Sequence, residues 1–280
     1  MKKYSVGFIG YGNMAQAITS ALANPVCARM LKDFGYKIKI AVADPDEEKL
    51  KTAPLSFGRT TNNSALVEAC DVIFIAVKPQ VAKSVLENLD FTNKIVFSIM
   101  ASVPIRAIDE ITSGKAKAIV RVMPNLNAKI GSAYTTFCVN KNDDEIIRLA
   151  VALLSSFGDV KQLKESQMNV STGLSGSGPA FVFKFINAYY NNAIKNGINK
   201  KTALEMALGT IIGSAITVQQ QAESGDVDIE NLVKSVCSKG GTTIQGVNFL
   251  DDNNFEDVVS GAIDKAIARA EEMSKEYENR

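Results

Sequence analysis

Three short stretches of this 280-residue chain combine residue types and spacings that can do chemistry. In "GFIGYGNMAQA", Gly10, Gly12 and Ala15 follow G-x-G-x-x-A, directly after the apolar run "YSVGFI" and at the start of a helix-forming stretch. The first glycine there permits a tight turn, the second lets a pyrophosphate approach the backbone, and the small third residue lets the helix pack on the strand. Amides at the helix start then face the phosphates. Ile9, Gly10, Tyr11, Gly12, Asn13 and Met14 are therefore candidate dinucleotide-binding residues, with a purely structural turn as the alternative. "AVKPQ" and "VMPN" end two further apolar runs. Open parallel sheets place ligands at such ends, so Ala76, Val77, Lys78 and Pro79 are expected to border the nucleotide. Asn125 is placed to orient a carboxamide or a water. A solvated lysine and a turn-forming asparagine are the plain alternatives. The third stretch, "SKGGTT" at residues 238–243, is a poor helix former and, through consecutive amides around two glycines, a good anion cradle. Its plain reading is a helix-to-helix turn with threonine caps.

A fourth position bears on which dinucleotide is used. "KIKIAVAD" ends at Asp44, where an acid accepts both hydroxyls of the adenosine ribose. It lies 29 residues beyond Ala15, against a usual interval of about 20, which implies an insertion around "NPVCARMLKDFGY". An acid there repels the extra phosphate of NADP and Pro45 offers it no cation, so NADH is favoured over NADPH. The margin is narrow, because Lys49 and Arg59 remain within reach. Asp44 can also serve as the N-cap of the following helix.

Composition removes other chemistries. The chain has no histidine, which excludes histidine triads, histidine-ligated metals and a histidine proton donor. Any acid or base must be a carboxylate, Lys, Tyr, Cys, Thr, water or the substrate itself. Cys27, Cys70, Cys138 and Cys237 are scattered, without a redox or zinc pattern, so no metal is expected. Thirty-one Lys and Arg against 30 Asp and Glu leave a net charge of +1, and no footprint for nucleic acid or an anionic membrane. Uninterrupted apolar runs such as Leu149 to Leu154 fall short of the roughly 18–20 residues that span a bilayer. "MKKYSVGFIGYG" reads as a buried strand rather than a signal peptide, so a cytoplasmic location is expected.

The elements that must position these residues follow from periodicity. Apolar runs at residues 4–9, 37–44, 70–78, 93–100, 117–123 and 132–140 read as strands. Helical stretches from Asn13, and in "PDEEKL", "PQVAKSVLENL", "VPIRAIDEI" and "DDEIIRLAVALLSSFG", separate or follow them. That is the alternation of a parallel sheet covered on both faces. After about residue 163 two-residue alternation disappears, and the second half is predicted to be all helical, broken at Gly197, Gly225 and "KGGTT". Gly209 and Gly213 permit close approach between helices. Phe181, Phe185 and Tyr189 read as core or subunit-interface packing. The tail "SKEYENR" has little to bury and is expected to fray.

Taken with "LSGSGPAFVF", these motifs resemble those of the pyrroline-5-carboxylate reductase family, in the family's order, over essentially the whole chain. The resemblance implies an α/β fold: an N-terminal Rossmann-type parallel sheet domain, residues 1–163 here, and an all-helical dimerisation and substrate-binding domain, residues 164–280. It implies reduction of the cyclic imine 1-pyrroline-5-carboxylate to L-proline with NADPH or NADH, the final step of proline biosynthesis. It also implies a homodimer, and some family members assemble into pentamers of dimers. By family pattern Ser238, Gly240, Gly241, Thr242 and Thr243 hold the substrate carboxylate, the Thr243 hydroxyl is the catalytic contact to the ring nitrogen, and Asn125 lies on the nicotinamide side. Four positions depart from the pattern: Lys239 stands where proline is usual, Leu126-Asn127 replaces Thr-Pro, Asn187 replaces a common glutamate, and Asp44-Pro45 replaces Asn-Arg.

The absence of histidine suits this reaction. Hydride transfer to a carbonyl develops an alkoxide that calls for a proton donor; transfer to a protonated imine cancels a charge and leaves a neutral amine. The chain then needs chiefly to align the reactants. A competing reading is a β-hydroxyacid dehydrogenase-like enzyme using Lys184 and Asn187, whose three-residue interval is shorter than the four usual there. A nucleotide-binding scaffold or redox sensor without turnover is the non-enzyme alternative.

Overall fold

The computed structural model describes residues 1–278, in two compact units. Met1–Ser177 together with the chain from Lys265 makes the first, and Gly178–Asp264 the second. The first unit holds an eight-stranded sheet of β1 (Lys2–Ile9), β2 (Tyr36–Ala43), β3 (Gly58–Thr60), β4 (Val72–Ile75), β5 (Ile95–Ser98), β6 (Ala118–Met123), β7 (Ala133–Val139) and β8 (Gly158–Gln162). Their order is β3-β2-β1-β4-β5-β6-β7-β8. Every neighbouring pair is parallel except β6 and β7. Around the sheet run α1 (Asn13–Leu22), α2 (Pro25–Asp33), α3 (Glu47–Lys51), α4 (Asn63–Ala69), α5 (Ala82–Leu86), α6 (Ile105–Ile111), α7 (Asp144–Leu154) and α8 (Met168–Ser171).

Central strands buried on both faces must be apolar throughout, and β4 and β5 have no exposed residue. One face carries a row of rings across three strands: Phe8 stacks on Phe74 at 4.5 Å and Phe74 on Phe97 at 4.8 Å. The other face packs Ile9, Ile73, Ile75 and Val96 into a second core. Each such side chain contributes about 1.5–3 kcal/mol by burial.

Several elements differ from the sequence-based expectation. β3 and β8 are edge strands, short and mostly polar, so neither shows the apolar run by which the inner strands announce themselves. The expected insertion after α1 is largely α2, with Asn24 as N-cap and Pro25 in its first turn; that proline starts a helix as well as ending one. The helix expected from Pro79 opens with one 3₁₀ turn, Pro79–Val81, before α5.

β7 adds one exception to polar satisfaction. Thr135 Oγ1 is buried and, among the described residues, has no hydrogen-bond partner. An unmade bond there costs free energy, so isosteric Thr135→Val should raise stability by about 1 kcal/mol in urea denaturation. A lower midpoint would show that the hydroxyl holds the strand.

The second unit consists of α9 (Gly178–Lys195), α10 (Lys200–Ser224), α11 (Ile229–Val236), α12 (Thr242–Asp252) and the first part of α13 (Phe255–Glu278). No strand lies in it, as the lost alternation predicts. Phe185 packs against Tyr189 and Phe255, with ring centroids 5.0 and 6.1 Å away. Yet only Ala203 and Ala207 are fully buried among its residues, while Met206, Ile212 and Phe249 are more than half exposed. α10 is also long and apolar enough, by length and composition, to cross a membrane. Counting uninterrupted apolar runs overlooks it, because Gly, Ser and Thr are scattered through its sequence.

Packing divides the chain differently from the boundary expected at residues 163 and 164. The segment up to Ser177 and the end of α13 both belong with the sheet. Nor does the tail fray where it is described: α13 continues to Glu278 and buries Ala270 and Ser274. Composition conceals this, since only the helical repeat places Ala270, Ser274 and Tyr277 on one face. The last two residues of "SKEYENR" lie outside the described residues.

Candidate active site

Strand register gathers the first half-site. Ile9 lies opposite Ala43 on one side and Ile75 on the other, so the chain leaves β1, β2 and β4 side by side. Connections diverge to opposite sides of β1, which makes this the switch point where open sheets bind ligands. Gly10 N donates to Ala43 O and Ala76 N to Ile9 O, at 2.8 and 2.9 Å, so Gly10, Asp44 and Ala76 border one crevice.

The two glycines do different work. Gly10 has φ +92°, and a Cβ there would stand 2.9 Å from Ala76 O. Gly12 is the N-cap of α1 in an extended conformation, with no side-chain cap and nothing within 4 Å of where its Cβ would be. The amides of Asn13 and Met14, in the first turn of α1, therefore lack intrahelical acceptors and adjoin open space. This arrangement fits a dinucleotide pyrophosphate. Ala15 is buried against the sheet. Ile9 and Tyr11 contribute differently: the Ile9 side chain is in the core, and Tyr11 N donates to Asp44 Oδ2 at 2.8 Å.

Asp44 is itself buried. Its Oδ1 accepts from Asp46 N at 3.0 Å and from Lys49 Nζ at 3.4 Å. It braces the glycine turn, and the N-cap of α3 is Asp46 rather than Asp44. Of the two cations expected within reach of an extra phosphate, Lys49 lies against Asp44 and Asp46, and Arg59 donates to the Ala53 carbonyl. Val77 and Pro79 are half-buried beside this turn and Lys78 is exposed. A cleft of about 350 Å³ adjoins the turn, lined by Tyr11, Asn13, Gln16, Thr52 and Lys129 among others. A larger concavity, about 880 Å³, lies along β2 among Lys37, Ile38, Lys39 and Ile40 and holds none of the predicted site residues. Size does not locate this site; the strand ends do.

Asn125 is buried and committed at both ends. Its Oδ1 accepts from Asn127 N, and its Nδ2 donates to Ser175 O, both at 3.1 Å. Ser175 lies in a π-helical turn, Thr172–Gly176, closed by Ser177 N to Thr172 O at 2.9 Å. Such turns recur at functional positions. A signal that sequence reasoning passed over is Pro179: an α-helix would pair Ser175 O with the amide of residue 179, which proline lacks.

In the second unit, Ser238–Gly241 forms a turn closed by Gly241 N to Ser238 O at 2.9 Å, with Gly240 at φ +73°. Gly241, not a threonine, is the N-cap of α12, and no side chain caps the helix. Thr242 and Thr243 occupy its first turn with exposed side chains, so their amides and hydroxyls are available to an anion. Of the plain reading of "SKGGTT", the helix-to-helix turn is present and the threonine caps are not.

Thiol chemistry is not prepared here. The four cysteines are free; burial pushes Cys70 up to about 11 and Cys138 up to about 12. Among the described residues no cluster of His, Cys, Asp or Glu could hold a metal.

A glycine turn at the switch point of a doubly wound sheet, followed by a helical unit with an uncapped helix start at Gly241, defines a nicotinamide-dinucleotide oxidoreductase. Comparison with known proteins supports this and narrows it. Residues 5–102 match a family described as NADP oxidoreductase, coenzyme F420-dependent, and residues 165–273 match pyrroline-5-carboxylate reductase dimerisation. A pyrroline-5-carboxylate reductase of Aquifex aeolicus is 35% identical over 96% of this chain and 97% of its own. The solved 1-pyrroline-5-carboxylate reductase of Streptococcus pyogenes superposes with a TM-score of 0.83 at 28% identity, covering 96% of this chain and 99% of that one. The solved pyrroline carboxylate reductase of Plasmodium falciparum, with NADP bound, gives 0.81 at 28% identity, covering 97% of this chain and 98% of that one. The chain belongs to the pyrroline-5-carboxylate reductase family.

Proposed function

We infer that this chain catalyses the family's reaction: reduction of the cyclic imine of 1-pyrroline-5-carboxylate to L-proline, the last step of proline biosynthesis. The observation that carries the residue assignment is a pair of uncapped helix starts, one at Gly12 and one at Gly241. The first presents amides to a pyrophosphate and the second to a carboxylate. A reduced nicotinamide dinucleotide bound at the first supplies the hydride. Ser238 and the amides of Gly240, Thr242 and Thr243 hold the substrate carboxylate, around Gly241, whose own amide closes the turn onto Ser238 O, while the Thr243 hydroxyl meets the ring nitrogen, directly or through water. Because hydride neutralises an iminium, the residues near the nitrogen need only be compatible with its charge and accept its hydrogen bond. A chain lacking histidine meets that requirement. Asn125, fixed by Ser175 and Asn127, retains one N–H and one lone pair for the nicotinamide side.

NADH is favoured over NADPH because the Asp44 carboxylate, at the end of β2, repels an extra phosphate there, while Lys49 is drawn to Asp44 and Arg59 to the Ala53 carbonyl. The assembly is a homodimer through the exposed apolar faces of the second unit, with a pentamer of dimers as the higher form the family admits. A cytoplasmic location accords with a biosynthetic role. The alternative pair Lys184 and Asn187 is solvent-exposed on α9, which offers no argument for a hydroxyacid site.

Steady-state reduction of 1-pyrroline-5-carboxylate with NADH and NADPH in parallel tests reaction and cofactor choice together. Turnover with NADPH but not NADH would overturn the cofactor reading; turnover of neither, with 3-hydroxyacids oxidised, would overturn the substrate. Within that assay, Thr243→Ala should lower kcat/KM severalfold to about tenfold, the worth of one neutral hydrogen bond, and leave cofactor affinity unchanged. Equal losses in both would give Thr243 a structural role.

A further inference from the structure

The end of α13 reaches the carboxyl rim of the sheet at several points. Ser274, buried, places its Oγ 2.7 Å from Ser102 O in the loop after β5 and 3.1 Å from Asn169 Oδ1. Asn169 Oδ1 also accepts from Arg121 Nη2 at 2.8 Å, and Arg121 is a buried cation on β6. Its Nη1 lies 3.4 Å from Glu165 Oε1, which in turn accepts from Ile105 N at 2.6 Å. One turn beyond Ser274, Tyr277 OH donates to Pro79 O at 3.2 Å. Pro79 closes the stretch whose first residue, Ala76, walls the turn at Gly10.

We propose that the last two turns of α13 form a clasp on the cofactor loop, with Ser274 as its anchor and Tyr277 as a positioning residue for residues 76–79. This rests on the reading of those residues as the nucleotide border. The chemistry is preorganisation: a loop already held in its bound shape loses less conformational freedom when the dinucleotide arrives. Ser274 suits the anchor because a buried hydroxyl must find partners, and its neighbours are a carbonyl and an amide already fixed by a buried guanidinium. Tyr277 suits the tip because it sets its hydroxyl against the carbonyl of a residue that has no N–H of its own to lock the loop.

The test titrates NADH by fluorescence into wild type, Tyr277→Phe, Ser274→Ala and Gly12→Val, with melting temperatures and kinetics alongside. Tyr277→Phe and Ser274→Ala should each raise the Kd for NADH about threefold to tenfold, the span of one neutral hydrogen bond. KM for the imine should not move, and turnover at saturating NADH should change less than about twofold, the split that separates ground-state binding from transition-state stabilisation. If both variants bind NADH as wild type while Gly12→Val does not bind it, the clasp is overturned and the nucleotide site stands. A lower melting temperature with unchanged Kd likewise overturns it, reducing the contacts to scaffolding. Normal binding by Gly12→Val overturns the nucleotide reading, and the clasp with it.

Discussion

Gly12→Val should leave the melting temperature within about 2 °C of wild type and weaken NAD(P)H binding at least a hundredfold. The first half follows from the protein alone. Gly12 is extended, a conformation any residue adopts, and a Cβ there meets nothing within 4 Å. Valine is a poorer N-cap than glycine by about 1 kcal/mol, which in a chain of this length moves the melting temperature by no more than about 2 °C. The second half follows from what that open space is for. Branched carbons between the amides of α1 and a pyrophosphate displace the anion from two or more hydrogen bonds, each worth about 1.5–3 kcal/mol with a charged partner. Losing two is a factor of a hundred or more. Gly10 makes the contrast: an alanine there takes a left-handed φ and presses on the Ala76 carbonyl, so its cost falls on folding as well. Calorimetry and fluorescence titration of Gly12→Val check both halves. Unfolding at a lower temperature with binding intact would mean that the glycine serves the fold and the phosphates lie elsewhere.

What the sequence made legible follows the same division between local and distant causes. β1, β4, β5 and β6 were readable because burial on both faces demands largely apolar runs, and β2 because its alternating start leads into the apolar "IAVA". The glycine turn was readable because spacing alone encodes its geometry. β3 and β8 were not, since edge strands face water on one side and carry residues such as those of "GDVKQ". Among candidate site residues, sequence located Asp44 at the crevice but not its posture, turned inward onto Tyr11 N, because that bond joins positions 33 residues apart. Asn125 was located without its partner for the same reason: Ser175 is 50 residues on. The end of α13 escaped because charge and small residues dominate its composition while periodicity decides its face.

The second unit explains itself only in the company of another copy, and Ile212→Glu should show this. A helical unit in which two alanines are the fully buried residues has not buried enough apolar surface to offset the entropy of folding. Ile212 and Ile216 are 55% and 46% exposed, one turn apart on α10, and Gly209 and Gly213 lie in the same stretch with open space above them. Small residues beside branched apolar ones are what two closely packed helices require. In a two-fold interface each substitution is met twice, so one buried, unpaired carboxylate per chain, at about 3 kcal/mol each, weakens association by roughly 6 kcal/mol, or ten-thousand-fold. Light scattering at micromolar concentration should then give a mass of one chain. Imine reduction should fall in step, because the unit that carries Ser238 to Thr243 loses its core, whereas NADH affinity, a property of the sheet unit, should hold within a few-fold. Ile212→Leu keeps volume and polarity and should remain associated and active. An Ile212→Glu protein that stays a dimer at full activity would place the interface on another face of the second unit, with Phe249 and Val258, also mostly exposed, the next positions to charge.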